Sequence, residues 1–255
     1  DAVPIVESMG RHLMGSPYVA TTLAAQALIT SGNEEQKSHW LAEIAAGAPA
    51  SLALTEEDGN WRLQEITATA TANGEALTLS GTKCFVLDAA QAKVVVASVM
   101  LDGVARLVLI HADQIPSGSL AREVVIDETR RSYTLQLDGI SVPQSQLLDG
   151  ADFAALEQAA MLLLVAEMSG GLAGVLHVIV DYLTTRKQFD QYIGSYQSLK
   201  HPSVQILLSM EACRSHLYHA ATVMAAGNTD AAEEAVRMAK AQGSEAFAFA
   251  GDRAV

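Results

Sequence analysis

At 255 residues, half of them hydrophobic and only 5% aromatic, the chain can bury a sizeable core built mainly from Ala, Leu, Val, Ile and Met. A net charge of −13 and a pI near 4.8 argue against nucleic acid or an anionic membrane as the main partner, so any phosphate-bearing ligand needs local cations. Cys84 and Cys213 form neither a metal-ligand spacing nor a disulfide framework and read as small buried hydrophobes; with no visible signal peptide, this predicts a cytoplasmic protein.

The opening segment predicts helices. Residues 17–30 are rich in Ala and Leu and stop at Ser31-Gly32. Asn33 then caps a second helix, with Glu34, Glu35 and Gln36 in its first turn, that runs to about Ala46. A helix pair at the very start leaves apolar faces to cover, so further residues are expected upstream of Asp1. From Ala50 the pattern alternates with period two, over 51–55, 66–70 and 76–81, then 84–87, 93–99, 106–111, 122–126 and 133–137. Asn73-Gly74, Asp102-Gly103 and Asp138-Gly139 supply turns between these runs. Short strands at this spacing predict a β barrel or sandwich, closed by Pro143 and Asp149-Gly150.

Beyond Asp152 the strand signals cease. Residues 153–187 predict one long helix, 201–226 a second ended by Gly227-Asn228, and 231–251 a third capped by Thr229 or Asp230. The apolar run 159–176 is broken by Glu167, Ser169 and Gly170-Gly171. A membrane span needs roughly 20 unbroken apolar residues, so this run predicts a buried bundle helix instead. The order predicts an α+β protein in three parts: an all-α segment at 1–49, a β-barrel-like middle at 50–149 and a helical bundle at 150–255.

Between the first two long helices lies the stretch richest in chemistry. Residues 182–201 close one helix with Arg186 and Lys187, turn through Phe189 and Gly194, and open the next with Gln197, Lys200 and His201. Three of the sixteen Lys and Arg residues stand here. A guanidinium fork beside a helix start is a common means of holding phosphate, so the stretch predicts an anion-binding corner. The plainer reading of Arg186 is a solvated cation balancing the dipole of the helix end.

The wording of the chain also resembles the acyl-CoA dehydrogenase family. The motifs are S-G-N-E-E-Q-K with W-L (31–41), L-A-L-T-E-E (52–57), L-S-G-T-K-C-F-V (79–86) and T-R-K-Q-F with a later Gln and His (185–201). Any one alone is weak; four in order across the chain are specific. The resemblance implies the family's fold, with a C-terminal four-helix bundle, and FAD as cofactor. It implies oxidation of an acyl-CoA thioester to the trans-2-enoyl-CoA, by Glu abstraction of the α-proton and hydride transfer to flavin N5. Leu54, Thr55, Phe85, Val86 and Leu87 would lie against the flavin ring. Arg186, Phe189 and Gln197 would reach the dinucleotide of a neighbouring protomer, in a homo- or hetero-oligomer. An electron-transfer flavoprotein is the implied acceptor.

Several positions depart from the family pattern. Its P-x-A-G-S-D after T-E is here Glu57-Asp58-Gly59-Asn60-Trp61-Arg62, Leu87 stands for a Thr or Ser, and Asp190 rather than Gly follows Phe189. An α-proton is taken by a carboxylate shielded from water. One family position for this Glu, and a Gly-Gly-rich adenosine loop, are expected beyond Val255. The other falls at Ala160, with Glu157 one turn before it and Glu167 two turns after. Glu167, in its apolar run, is the candidate base; a bundle Glu paired with His or Arg is the plainer alternative. The departures resemble branches in which unlike subunits form a heteromeric dehydrogenase, as in bacterial steroid side-chain breakdown. A non-catalytic assembly subunit and another flavin reaction, monooxygenation or nitroalkane oxidation, are the rival readings. The histidines show no metal spacing, and neither a G-x-S-x-G elbow nor a Rossmann glycine pattern is present.

Overall fold

The computed structural model describes residues 1–227 and 229–255. They fall into two compact units, 15–157 and 1–14 with 158–255. Helix α1 (Ala2–Arg11) opens the chain and belongs to the second unit.

In the 15–157 unit, α2 (Tyr18–Ser31) and α3 (Glu34–Ala45) follow the expected boundaries closely. Asn33 and Gln36 form a reciprocal capping box, each backbone N–H donating to the other's side-chain oxygen at 3.0 and 2.9 Å. Nine strands follow: β1 (Ala50–Ala53), β2 (Thr69–Asn73), β3 (Ala76–Ser80), β4 (Thr82–Leu87), β5 (Val94–Leu101), β6 (Val104–His111), β7 (Leu120–Arg122), β8 (Ser132–Gln136) and β9 (Ser141–Pro143). Six form one sheet in which β5 pairs in parallel with β1 and β2 and antiparallel with β6. Strands β4, β8 and β7 form a second sheet in that order.

The alternation of β5 explains the layering. Val95, Ala97 and Val99 join Leu79, Val86 and Leu135 in one buried cluster. Val94 and Val96 point the other way, into a cluster with Leu28 and Trp40. A strand covered on both faces reads as an unbroken apolar run, and Val94–Val99 is buried throughout. Two expected strands are displaced: that at 66–70 starts only at Thr69, as β2, and that at 122–126 is irregular past Arg122, where pairing with β8 ends. Val124 and Ile126, inside that expected strand, are wholly exposed.

The helical unit holds α1, α4 (Phe153–Thr185), α5 (Gln197–Ala225) and α6 (Thr229–Ala254), with a hairpin of β10 (Lys187–Gln188) and β11 (Gln191–Tyr192) between α4 and α5. The first turn of α4 belongs to the other unit, where Phe153 and Leu156 enter its core. Helices α1 and α4 meet backbone to backbone through glycines: a Cβ on Gly170 would lie 1.8 Å from the Glu7 carbonyl oxygen, and one on Gly10 2.0 Å from that of Glu167. Beside this crossing the Glu7 carboxylate accepts from Ser169 Oγ and Tyr218 Oη, both at 2.8 Å, and pairs with Arg214 at 3.3 Å.

Helix α5 begins about a turn before the expected His201, with Pro202 inside it. Pro202 stands in the second turn, where its missing N–H forgoes the bond to the Ser198 carbonyl. The stop expected at Gly227-Asn228 and the cap expected at Thr229 fall in part on Asn228 and the Thr229 side chain, outside the described residues. Helix α4 is long and apolar enough to cross a membrane by length and composition, with 39% of its most apolar window buried within the chain. Burial is densest around Leu163–Leu172; Val178 and Val180 are exposed.

Candidate cofactor site

The residues expected at a flavin ring come together where β1 ends beside β4. Thr55 forms a bridge with Cys84: its carbonyl accepts the Cys84 N–H at 2.9 Å, and its hydroxyl donates to the Cys84 carbonyl at 2.6 Å. This sets Leu54 and Thr55 alongside Phe85, Val86 and Leu87. The register of β4 against β8 shifts between Lys83 and Val86. At that bulge Phe85 adopts φ +56°, a left-handed backbone that costs an aromatic residue about 1–3 kcal/mol, and its ring is 53% exposed. Leu54 and Leu87 are half-buried. Val86 differs from its neighbours: its side chain is fully buried in the inter-sheet core, which leaves only its backbone to meet a ligand.

Under this edge lies an ion pair that T-E and G-T-K did not reveal as one. Lys83, fully buried, donates to Glu56 at 2.7 Å and to Ser98 Oγ at 2.9 Å. Glu56 also accepts from the Ala68 N–H and from both the N–H and hydroxyl of Thr67. Burial pulls the Glu56 carboxyl up, but the bonds from Lys83, Thr67 and Ala68 outweigh it and hold the group at about 2. Burial pulls the Lys83 ammonium down, against the pull of Glu56.

The anion-binding corner is open to solvent. A two-residue loop, Phe189-Asp190, joins β10 to β11, with φ +53° and +61°. Two left-handed residues in such a loop follow the type I′ pattern that Asn-Gly satisfies without strain. Here a Phe takes the first place and is 87% exposed. The Ile193 N–H donates to the Arg186 carbonyl at 2.9 Å, and Tyr196 Oη donates to the Gln188 carbonyl at 3.2 Å, which ties the hairpin to the start of α5. Lys187 lies over the Tyr192 ring at 4.6 Å. Among the described residues the Arg186 guanidinium makes no hydrogen bond or ion pair. Gln197 is exposed at the first position of α5, whose cap residue Tyr196 supplies no side-chain acceptor. A free guanidinium, an amide, an uncapped helix start and an outward aromatic form a donor set that fits a flat dinucleotide such as FAD.

The loop after Glu56 does not fit phosphate. Glu65 is taken up by Arg62 at 2.9 Å and Asn60 at 2.6 Å, Asp58 accepts the Asn60 N–H, and Trp61 is 75% exposed. Acid dominates there, and the one guanidinium is spent. Glu167 is half-buried on α4, in the turn that packs on Gly10 of α1, and it interacts with other groups. It stands 19 residues before Arg186, which at about 1.5 Å per residue is roughly 28 Å along the helix. Glu157 is also half-buried and engaged. An apolar groove of about 600 Å3 is lined among others by Val175, Ile179, Leu183 and Phe247, with Arg11 and Arg253 but no Asp or Glu among the described residues.

Two side chains escaped the sequence reading. Glu123 accepts from Phe85 N–H, Ser132 Oγ and Thr134 Oγ1; the S-x-T spacing of β8 was the available signal, since it puts both hydroxyls on one face. Glu7 had no local signal, because its partners lie over 160 residues away.

Residues 1–48 match the N-terminal domain of acyl-CoA dehydrogenase, and residues 155–255 match its C-terminal domain. The chain is 31% identical over 253 residues to the acyl-CoA dehydrogenase FadE12 of Mycobacterium tuberculosis, covering 94% of this chain and 64% of that relative, short of two thirds of its length. It is similar in fold to the Tcur3481-Tcur3483 steroid ACAD, with TM-score 0.86 and 26% identity over 99% of this chain and 68% of the other. The ChsE4-ChsE5 complex from Mycobacterium tuberculosis gives TM-score 0.86 and 25% identity over the same shares.

Proposed function

We propose, on the premise that this chain belongs to the acyl-CoA dehydrogenase family, that it is a subunit of a flavin-dependent enzyme oxidising an acyl-CoA thioester to the trans-2-enoyl-CoA. FAD, when bound, supplies the hydride acceptor. The observation that carries the reading is the corner: an unpaired Arg186 beside a Phe held outward on a strained turn, in a chain whose overall charge repels phosphate. Arg186, Phe189 and Gln197 are assigned to the dinucleotide held by an adjoining protomer. Leu54, Thr55, Phe85, Leu87 and the Val86 backbone are assigned to the ring face, where they exclude water from one side. Glu167, a half-buried carboxylate in the apolar run of α4, is assigned the α-proton. Its distance from Arg186 along α4 supports a corner that serves a different cofactor from the one beside the base. An electron-transfer flavoprotein would take the electrons onward, in the cytoplasm.

The visible spectrum of the purified protein tests this. Flavin bands that an acyl-CoA bleaches anaerobically are expected. Glu167→Gln should keep the bands and lose the bleaching. Protein that takes up no FAD under any condition would refute the reading. The acidic, self-paired loop at 57–65 favours a second one, a half-site in a heteromeric dehydrogenase. Similarity to the ChsE4-ChsE5 complex supports it. Colour gained only on co-expression with an unlike subunit would select it.

A further inference from the structure

We propose that Glu123 is a positioning residue, holding the Phe85 ring out from the β4 bulge as part of the apolar face that takes the flavin. The proposal deepens the functional reading above and rests on it. Where the register shifts, the Phe85 N–H loses its ladder acceptor. Glu123 follows directly on β7, two strands away, and its own N–H donates to the Ser132 carbonyl at 3.0 Å. Its side chain reaches back across β8. There Ser132 and Thr134 donate their hydroxyls to the carboxylate at 2.5 and 2.8 Å, and the oxygen that takes Thr134 also accepts the Phe85 N–H at 3.0 Å. Among the described residues no cation joins it. Burial raises the affinity of Glu123 for a proton, but these three bonds win and keep it ionised.

Thr55 holds the same Cys84–Phe85 peptide through its carbonyl oxygen, and it takes the Cys84 N–H as well. With that peptide held by Glu123 and Thr55, and the next residue, Val86, buried and in register with Tyr133, the left-handed backbone of Phe85 is braced on both sides. A bulge that needed only its N–H satisfied would be served by a glycine and a water. An aromatic locked outward, with Val124 and Ile126 wholly exposed just past the residue that locks it, is built for contact.

The test titrates FAD into the full chain, following flavin emission, with far-UV circular dichroism and melting on the same samples. Glu123→Ala and Phe85→Ala are each expected to weaken FAD binding about tenfold. The double variant should be no weaker than either alone, since both changes remove one ring placement. Glu123→Gln keeps an acceptor for the Phe85 N–H and should recover most of the affinity. If Glu123→Ala does not fold, the pair Ser132→Ala with Thr134→Val loosens the carboxylate instead, and a several-fold loss is expected. A folded Glu123 variant with wild-type affinity, beside a weakened Phe85→Ala, overturns the clamp and leaves the flavin reading standing. Additive losses in the double variant also overturn it. Wild-type protein that binds no FAD overturns both.

Discussion

Glu56 and Lys83 sit 27 residues apart in sequence and 2.7 Å apart in the fold, in an interior where neither charge is tolerable alone. Removing one partner strands the other. Glu56→Gln is therefore expected to cost about 3–5 kcal/mol in urea melts, whereas replacing both partners with apolar residues of similar volume should restore much of that. The pair also gives stability a pH dependence of definite sign. Glu56 titrates at about 2 when folded against an ordinary 4.5, so the unfolded chain binds more protons in that interval. Its contribution is whole above pH 4.5 and is lost as pH falls towards 2. Urea midpoints measured across that window should fall in the wild type by more than in Glu56→Gln.

Helix α4 shows what pattern reading misses. Gly170-Gly171 reads in sequence as an interruption of an apolar run, which is a weakness. In the fold Gly170 is where α1 crosses close enough that no side chain fits. Gly170→Ala should lower stability by about 1–3 kcal/mol, seen as a lower melting temperature with unchanged helix content. The contact was illegible because its two sides are about 160 residues apart. By contrast, the Asn33–Gln36 capping box was legible because it is entirely local. The strand misplaced at 122–126 fails for a related reason. Val124, Val125 and Ile126 are β-branched residues of the kind strands favour, but ladder pairing ends at Arg122 and leaves Val124 and Ile126 on the surface.

Across the whole molecule, periodicity and turn residues pointed to an α+β chain, with helices at both ends and strands between, and four short motifs pointed to the family. Candidate residues could be named from sequence where they stand within one stretch, as at 182–201. Glu123 could not be named in this way, because its partners Phe85, Ser132 and Thr134 are brought to it by topology. Arg186 tests the assembled view. Being exposed and unpaired, it contributes nothing to the fold that its loss would expose. Arg186→Ala should therefore reduce flavin occupancy several-fold in the assembled protein while the melting curve stays put; unchanged occupancy would remove it from the cofactor site.

Strand β5 carries a mechanical consequence. Its residues from Val94 to Val99 feed two separate clusters, and its edges are pinned by β1, β2 and β6. A bulkier side chain on either surface has no slack to consume, so its push passes straight through the ribbon to the opposite layer. Neither the helices α2 and α3 nor the smaller sheet can adjust its packing in private: the two interiors of the 15–157 unit answer to one shared wall.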